Sequence, residues 1–388
     1  MRRNKSIILL SAGHACVDVY QGAVAALVPF FVAERAYSYA AASGVVLAAS
    51  LLSSVAQPLF GALTDRRPLP WLLPVSTLLG GAGIALSGLG DSYALTLALV
   101  ALSGLGVAAY HPESARVARL ASRGSHTAMG WFSLGGTLGF AAAPLLVAAV
   151  VAGGGLRLTP LLVIPAVVGS VLCLVALRAL AEPSGEAGAR EVPGTDDPRS
   201  FALLSLAVVC RSITFIGLST FIAFHVQERT GGGTASGTAA LFVLYAGGAV
   251  GSVLGGALAE RWDRVAVVRR SYLLTVVAVA GLFLVPGPAV HVFVALASAG
   301  LYVPFSLQVT LGQDYLPTRI GTAGGITLGL TVSVGGLTTP LIGAAADATS
   351  LRTALAPLAL LPAVGWLLVR GLREPRTAAA AVATSGAP

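Results

Sequence analysis

In the stretch GHACVDVYQG, residues 13–22, three polar side chains interrupt a run that is otherwise apolar from Ile7 to Val32. At 100° per residue Ser11, His14, Asp18 and Gln21 fall within an arc of about 80°, and Tyr20 points away. A carboxylate in mid-span costs about 2.5–3.5 kcal/mol to insert, so such a residue faces protein or a water-filled cavity. Two readings of Asp18 follow. As a proton carrier, it is neutral when desolvated and charged when wetted or placed beside a cation. As a structural group, it sits in a fixed salt bridge or helix-packing hydrogen bond. His14, one turn away, is a second proton site or the group that orients Asp18.

Arg211 is the only Arg or Lys deep in an apolar run, and it shares a helix face with Thr214, Phe221 and His225. Three roles fit it: counter-ion to Asp18, anchor for an anionic substrate, or structural cation. The planar guanidinium fork suits carboxylates and phosphonates, so an anionic small molecule is one expected cargo. A further polar group, Tyr110, His111, Pro112 and Glu113, closes another apolar run. Its spacing is not that of the HExxH zinc motif, so neither metal catalysis nor any cofactor is expected.

The elements that must hold these residues are membrane-spanning. Of 388 residues, 56% are hydrophobic and 10% charged, with a mean hydropathy of +0.85; soluble domains carry charge on about a quarter of theirs. Twelve apolar stretches are expected, near 7–32, 39–63, 71–90, 92–115, 127–152, 158–181, 201–226, 235–259, 270–286, 289–313, 320–346 and 353–371. Their continuity excludes a β-barrel, whose strands alternate over about ten residues. The expected fold is an all-α polytopic bundle embedded in lipid.

The net charge of +8 does not point to nucleic acid, because the cations are sorted by side. With twelve spans both termini share a side, and 19 of the Lys and Arg residues fall there against four on the other. The positive-inside rule then makes both termini cytoplasmic. The run after MRRNK is too long for a cleaved signal and lacks a small-residue cleavage site. One Lys against 23 Arg points to a GC-rich genome and a bacterial inner membrane. A monomer is expected.

The chain repeats. GALTDR at 61–66 is echoed by GALAER at 256–261, and the Gly139–Pro144 pair by Gly335–Pro340, at offsets of 195 and 196. The polar segment 182–200 reads as a cytoplasmic linker between six-helix halves at 1–181 and 201–374, with a disordered cytoplasmic tail at 375–388. The repeated turns put Asp65 with Arg66, and Glu260 with Arg261, at the cytoplasmic ends of the second and eighth spans. With His111, Glu113 and Arg116 they form a candidate cytoplasmic gate.

Two such halves resemble the major facilitator superfamily of secondary transporters. The His14–Asp18 spacing, QPLFGALTDRRPLPWLLP at 57–74, YHPESARVARLAS at 110–122 and LPTRIGTAGG at 316–325 resemble, more narrowly, the fosmidomycin resistance protein family of bacterial exporters. The resemblance implies a substrate site at the midplane between the halves, opened alternately to each side by rocking. It also implies proton-driven export of a small organic compound by antiport, and a transporter with no enzymatic activity. Proton coupling is expected at Asp18 and His14, and substrate contact at Gln21, Arg211, Thr214, His225 and Tyr110. Two features depart from the pattern: Pro68, Leu69 and Pro70 follow the first GxLxDR element, and Ala143 replaces a Gly in the fifth span. Uptake symport or uniport on the same fold is the rival reading.

Overall fold

The computed structural model describes residues 2–122, 126–180 and 195–375; most of the predicted linker and the predicted tail beyond 375 lie outside these. The polypeptide is helical and bundled, because a chain in hydrocarbon must satisfy its backbone within itself. The first half comprises α1 (Arg2–Arg35), α2 (Tyr39–Arg66), α3 (Leu72–Ser87), α4 (Tyr93–Ser122), α5 (His126–Ala152) and α6 (Ile164–Leu180). The second comprises α7 (Pro198–Thr230), α8 (Gly233–Ala259), α9 (Arg264–Leu284), α10 (Val290–Tyr302), α11 (Phe305–Tyr315), α12 (Ile320–Ala348), α13 (Leu351–Leu355) and α14 (Leu360–Val369).

Among the described residues eleven helical segments are long and apolar enough to cross a membrane, and α3 is a shorter apolar helix. Three spans are less regular than the periodicity predicts. The sixth opens with a 3₁₀ segment, Gly155–Val163, before α6. The tenth is two helices, α10 and α11, broken at Val303 and Pro304, because proline lacks the N–H that would continue the ladder. The twelfth opens as α13 and a 3₁₀ turn before α14.

Local signals set the helix ends. Asp197 caps α7 by accepting from the Ser200 N–H at 3.0 Å, with Pro198 at the first helical position. Gly231, at φ +65°, ends the helix in the left-handed conformation and donates its N–H to the Gln227 carbonyl. Asp196, next to the Asp197 cap, accepts from the Thr318 N–H (3.1 Å) and hydroxyl (2.6 Å), which hold its carboxyl below the usual range. At the other end of the bundle Gly155, at φ +74°, turns its neighbour toward α1, and the Leu156 N–H donates to Glu34 at 3.0 Å.

Small residues set the packing inside each half, as they do where lipid supplies no hydrophobic drive between helices. α1 crosses α5 so closely that a Cβ at Gly135 or Gly139 would collide with the backbone carbonyls of Ser11 and Ala15. This contact brings the polar stripe of α1 against α5.

The halves meet at the end of the bundle remote from the N terminus. There the Tyr39 and Ala40 N–H groups, at the start of α2, donate to the Asp347 carboxylate at 2.8 and 2.9 Å. Gly343 and Gly336 of α12 pack against Ser43 and Ser50 of α2, and Tyr39 lies edge-on to Phe224 at 5.2 Å. Nearer the middle, Phe140 of α5 and Tyr245 of α8 approach to 4.2 Å between ring centroids. Loss of the Asp347 latch opens this end. In Asp347→Ala, a cysteine placed at the buried Ser43 position should label about tenfold faster with an impermeant maleimide, the effect of about 1.4 kcal/mol once solvent screening of the two bonds is allowed for. Unchanged labelling sinks the latch.

Candidate functional site

The stripe of α1 does not stand alone. His111 of α4 reaches across to it, so that Asp18 lies between two imidazoles: His14 Nε2 is 3.3 Å from Oδ2 and His111 Nε2 is 3.2 Å from Oδ1. The other nitrogen of each ring is held by backbone. His14 Nδ1 lies 2.9 Å from the Phe132 carbonyl of α5, and His111 Nδ1 lies 2.7 Å from the Val107 carbonyl one turn back in α4. His14 also stacks on Phe132 at 4.4 Å and stands 5.4 Å from the His111 ring. Three helices therefore converge on one carboxylate.

His14 and Asp18 are nearly buried, each 8% exposed, and His111 is partly exposed. A Cβ at Gly136 would come within 2.5 Å of Asp18 Oδ2 and 2.6 Å of His14 Cε1, so the wall is backbone and leaves no spare room. The three ligand-type atoms lie within 4.8 Å of one another, close enough for a cation to bridge. The two N···O separations are also hydrogen-bond lengths, which a single proton in each contact would bridge.

The remaining gate candidates sit apart from this centre. Glu113 is fully buried and paired with Arg116 one turn on, through a two-pronged contact. Arg66, Glu260 and Arg261 are exposed, and no ion pair of theirs is found among the described residues. The side chain of Asp65 lies outside the described residues. In the second half the terminus-side brace is made instead by Arg264, which pairs with Asp314 of α11 at 2.7 Å and with Glu374 at 2.5 Å. Sequence reasoning passed over Arg264 because it follows the repeated GALAER element by three residues.

Arg211 does not meet Asp18. Its Nε donates to Gln308 Oε1 at 2.8 Å, one terminal nitrogen to the Leu301 carbonyl at 3.3 Å and the other to the Thr331 hydroxyl at 3.1 Å. Its guanidinium also lies 5.2 Å from the Phe305 ring centroid. Leu301 belongs to the last turn of α10, where the break at Pro304 leaves carbonyls without donors and the helix dipole is negative. A buried cation is thus satisfied by a helix end, an amide, a hydroxyl and a ring. Of the three roles open to it, the geometry matches the structural one.

A cavity lies between the halves, bounded by α1, α2, α4, α5, α7 and α8. Its polar lining residues are Tyr20, Gln21, Ser50, Ser53, Ser103, Ser219 and Tyr245, and its broad walls include Phe140 and Phe215. No charged side chain is among its lining residues. Of the predicted substrate contacts only Gln21 faces it. Tyr110 is buried with its hydroxyl against Cys173, Thr214 donates to the Cys210 carbonyl, and His225 contacts the Leu282 carbonyl at 2.9 Å. Val107, whose carbonyl holds His111, also lines the cavity, so the cavity and the trio share one turn of α4.

A profile of the Major Facilitator Superfamily matches residues 10–340. The chain is 28% identical over 379 residues to the fosmidomycin resistance protein of Escherichia coli (strain K12), covering 93% of this chain and 91% of that protein. It is 28% identical over 381 residues to the uncharacterized MFS-type transporter YfnC of Bacillus subtilis (strain 168), with the same coverage. Among solved structures, a bacterial homologue of the human lysosomal transporter Spinster, inward-facing and occupied, superposes with a TM-score of 0.77 at 17% identity, over 94% of this chain and 95% of that one.

Proposed function

The chain belongs to the Major Facilitator Superfamily, and from that premise we propose that this multi-pass membrane transporter exports a small organic compound in exchange for protons. The observation that carries the coupling is the position of Asp18 between His14 and His111, beside a cavity with which they share the Val107 turn. Protonation of the trio changes how tightly α1 is tied to α4. Cargo entering the cavity bears on the turn that aims His111. Rocking of the halves then exposes the trio to one side when protonated and to the other when loaded with cargo. Efflux as the direction is supported by similarity to a protein named for drug resistance.

The sorting of positive charge supports a bacterial inner membrane with both termini cytoplasmic. The conformation described, with the halves joined at the end remote from the N terminus, is then inward-open. The repeat and the helix packing support halves at 1–181 and 201–374 joined by the 182–200 segment. Because the cavity lining bears no charge and Arg211 is committed elsewhere, the cargo it fits is uncharged, with aromatic or aliphatic bulk and a few hydrogen-bonding groups.

Inverted vesicles test direction and coupling together. Under an acid-inside gradient they should accumulate a substrate found by resistance screening, and a protonophore should abolish the accumulation. Accumulation confined to right-side-out cells would instead establish uptake symport.

A further inference from the structure

We propose that Asp18, His14 and His111 together bind two exchangeable protons, one in each of the two N···O contacts, and that His111 is the port through which they exchange. The inference rests on the reading of this trio as the coupling site and adds its capacity and order of filling. It follows from the tautomers. A backbone carbonyl only accepts, so the contacts with Phe132 and Val107 fix a hydrogen on Nδ1 of both rings. Each Nε2 is thereby left as the atom facing the carboxylate.

With Asp18 ionised and both rings neutral, nitrogen lone pairs face oxygen lone pairs at 3.2 and 3.3 Å. Both contacts are then repulsive, and His14 Nε2 and Asp18 Oδ1 are buried without partners. One proton turns one contact into a charge-assisted hydrogen bond, and a second proton does the same for the other. A third finds no acceptor between these groups. The trio passes from a net charge of −1 through 0 to +1 as it fills, and the cross-helix tie between α1 and α4 exists only when the His111 contact holds its proton.

The two positions are not equivalent. The His14 side chain is 10% exposed and sealed by Phe132 and Gly136, whereas that of His111 is 25% exposed. The groups facing the trio do not supply or take its protons. α1 brings Cys16, whose Cβ lies against Gly169 of α6; α4 brings Tyr110, with its hydroxyl against Cys173 of α6, and Glu113, held by Arg116. Among the described side chains, α5 presents Phe132 and the glycines to the trio and no titratable group.

Histidine-selective ¹⁵N NMR of the full chain in nanodiscs, paired with infrared spectra of the carboxyl stretch, counts these protons without any substrate. The chain has five histidines, and H14Q and H111Q assign the two that matter. The expected result is that Nδ1 stays protonated in both rings, that the spectra together show two further protons in the acid form, and that these leave in two steps with the His111 proton first. H111Q should hold one, with the His225 and His291 resonances unmoved as evidence of a native fold. A count of one in the wild type, or an Nε2–H neutral tautomer in either ring, overturns the proposal. The outcome is separable from that of the transport reading: two protons with gradient-driven flux intact in Asp18→Asn removes the coupling role and leaves the count standing.

Discussion

Asp18→Asn should yield a folded protein whose gradient-driven accumulation in inverted vesicles falls at least about 100-fold, while downhill exchange of cargo across the membrane persists. The amide keeps the volume of the carboxyl, in a site where Gly136 leaves no room for more, and can still hydrogen-bond one imidazole. It cannot carry a negative charge, so the attraction that draws a proton into each N···O contact is gone, and the loss of even about 3 kcal/mol of differential binding between states corresponds to a factor of more than 100. Transport is measured against a protonophore control and folding by size-exclusion profile. Wild-type accumulation by this variant would return Asp18 to a purely structural role.

Arg211→Met should act on stability and not on cargo choice. The substitution keeps an unbranched apolar stem but leaves the Leu301 carbonyl, Gln308 Oε1 and the Thr331 hydroxyl short of a donor. Each stranded buried group costs about 1–3 kcal/mol, so a destabilisation of roughly 3 kcal/mol or more is expected, read as a lower thermal midpoint in detergent. Transport of anionic and neutral compounds should fall in the same proportion. Selective loss of anions would show that the guanidinium serves the cargo directly.

Much of this architecture is legible in the sequence, because a bilayer makes hydropathy almost sufficient. The spans, the repeated GALTDR and GALAER turns and the stripe of Ser11, His14, Asp18 and Gln21 are all read from local periodicity. What periodicity does not carry is distance between helices. His111 lies 93 positions from Asp18, and nothing in its own segment says that it faces α1; the Gly135 and Gly139 contacts that close α1 onto α5 and the turn of α4 that aims the ring are tertiary facts. Arg211 illustrates the converse. An isolated buried cation reads as a functional charge until the break at Pro304 reveals carbonyls in need of a donor. The signal was there in Pro304, which a window averaged for hydropathy smooths into one continuous span.

The lining of the cavity is the least legible part, since Gln21, Phe140, Phe215 and Tyr245 come from four different helices and none is unusual in an apolar run. Their convergence depends on how the two halves lean on each other, which sequence spacing within either half does not encode.

The bond between Asp347 and the start of α2 is made to main-chain amides. The side chains of Tyr39 and Ala40 can therefore drift in evolution without loosening it, and the polar part of the closure at that mouth passes to a single carboxylate on the opposing half. One rotamer change there releases both bonds together, so the two should be made and lost as a pair and never singly.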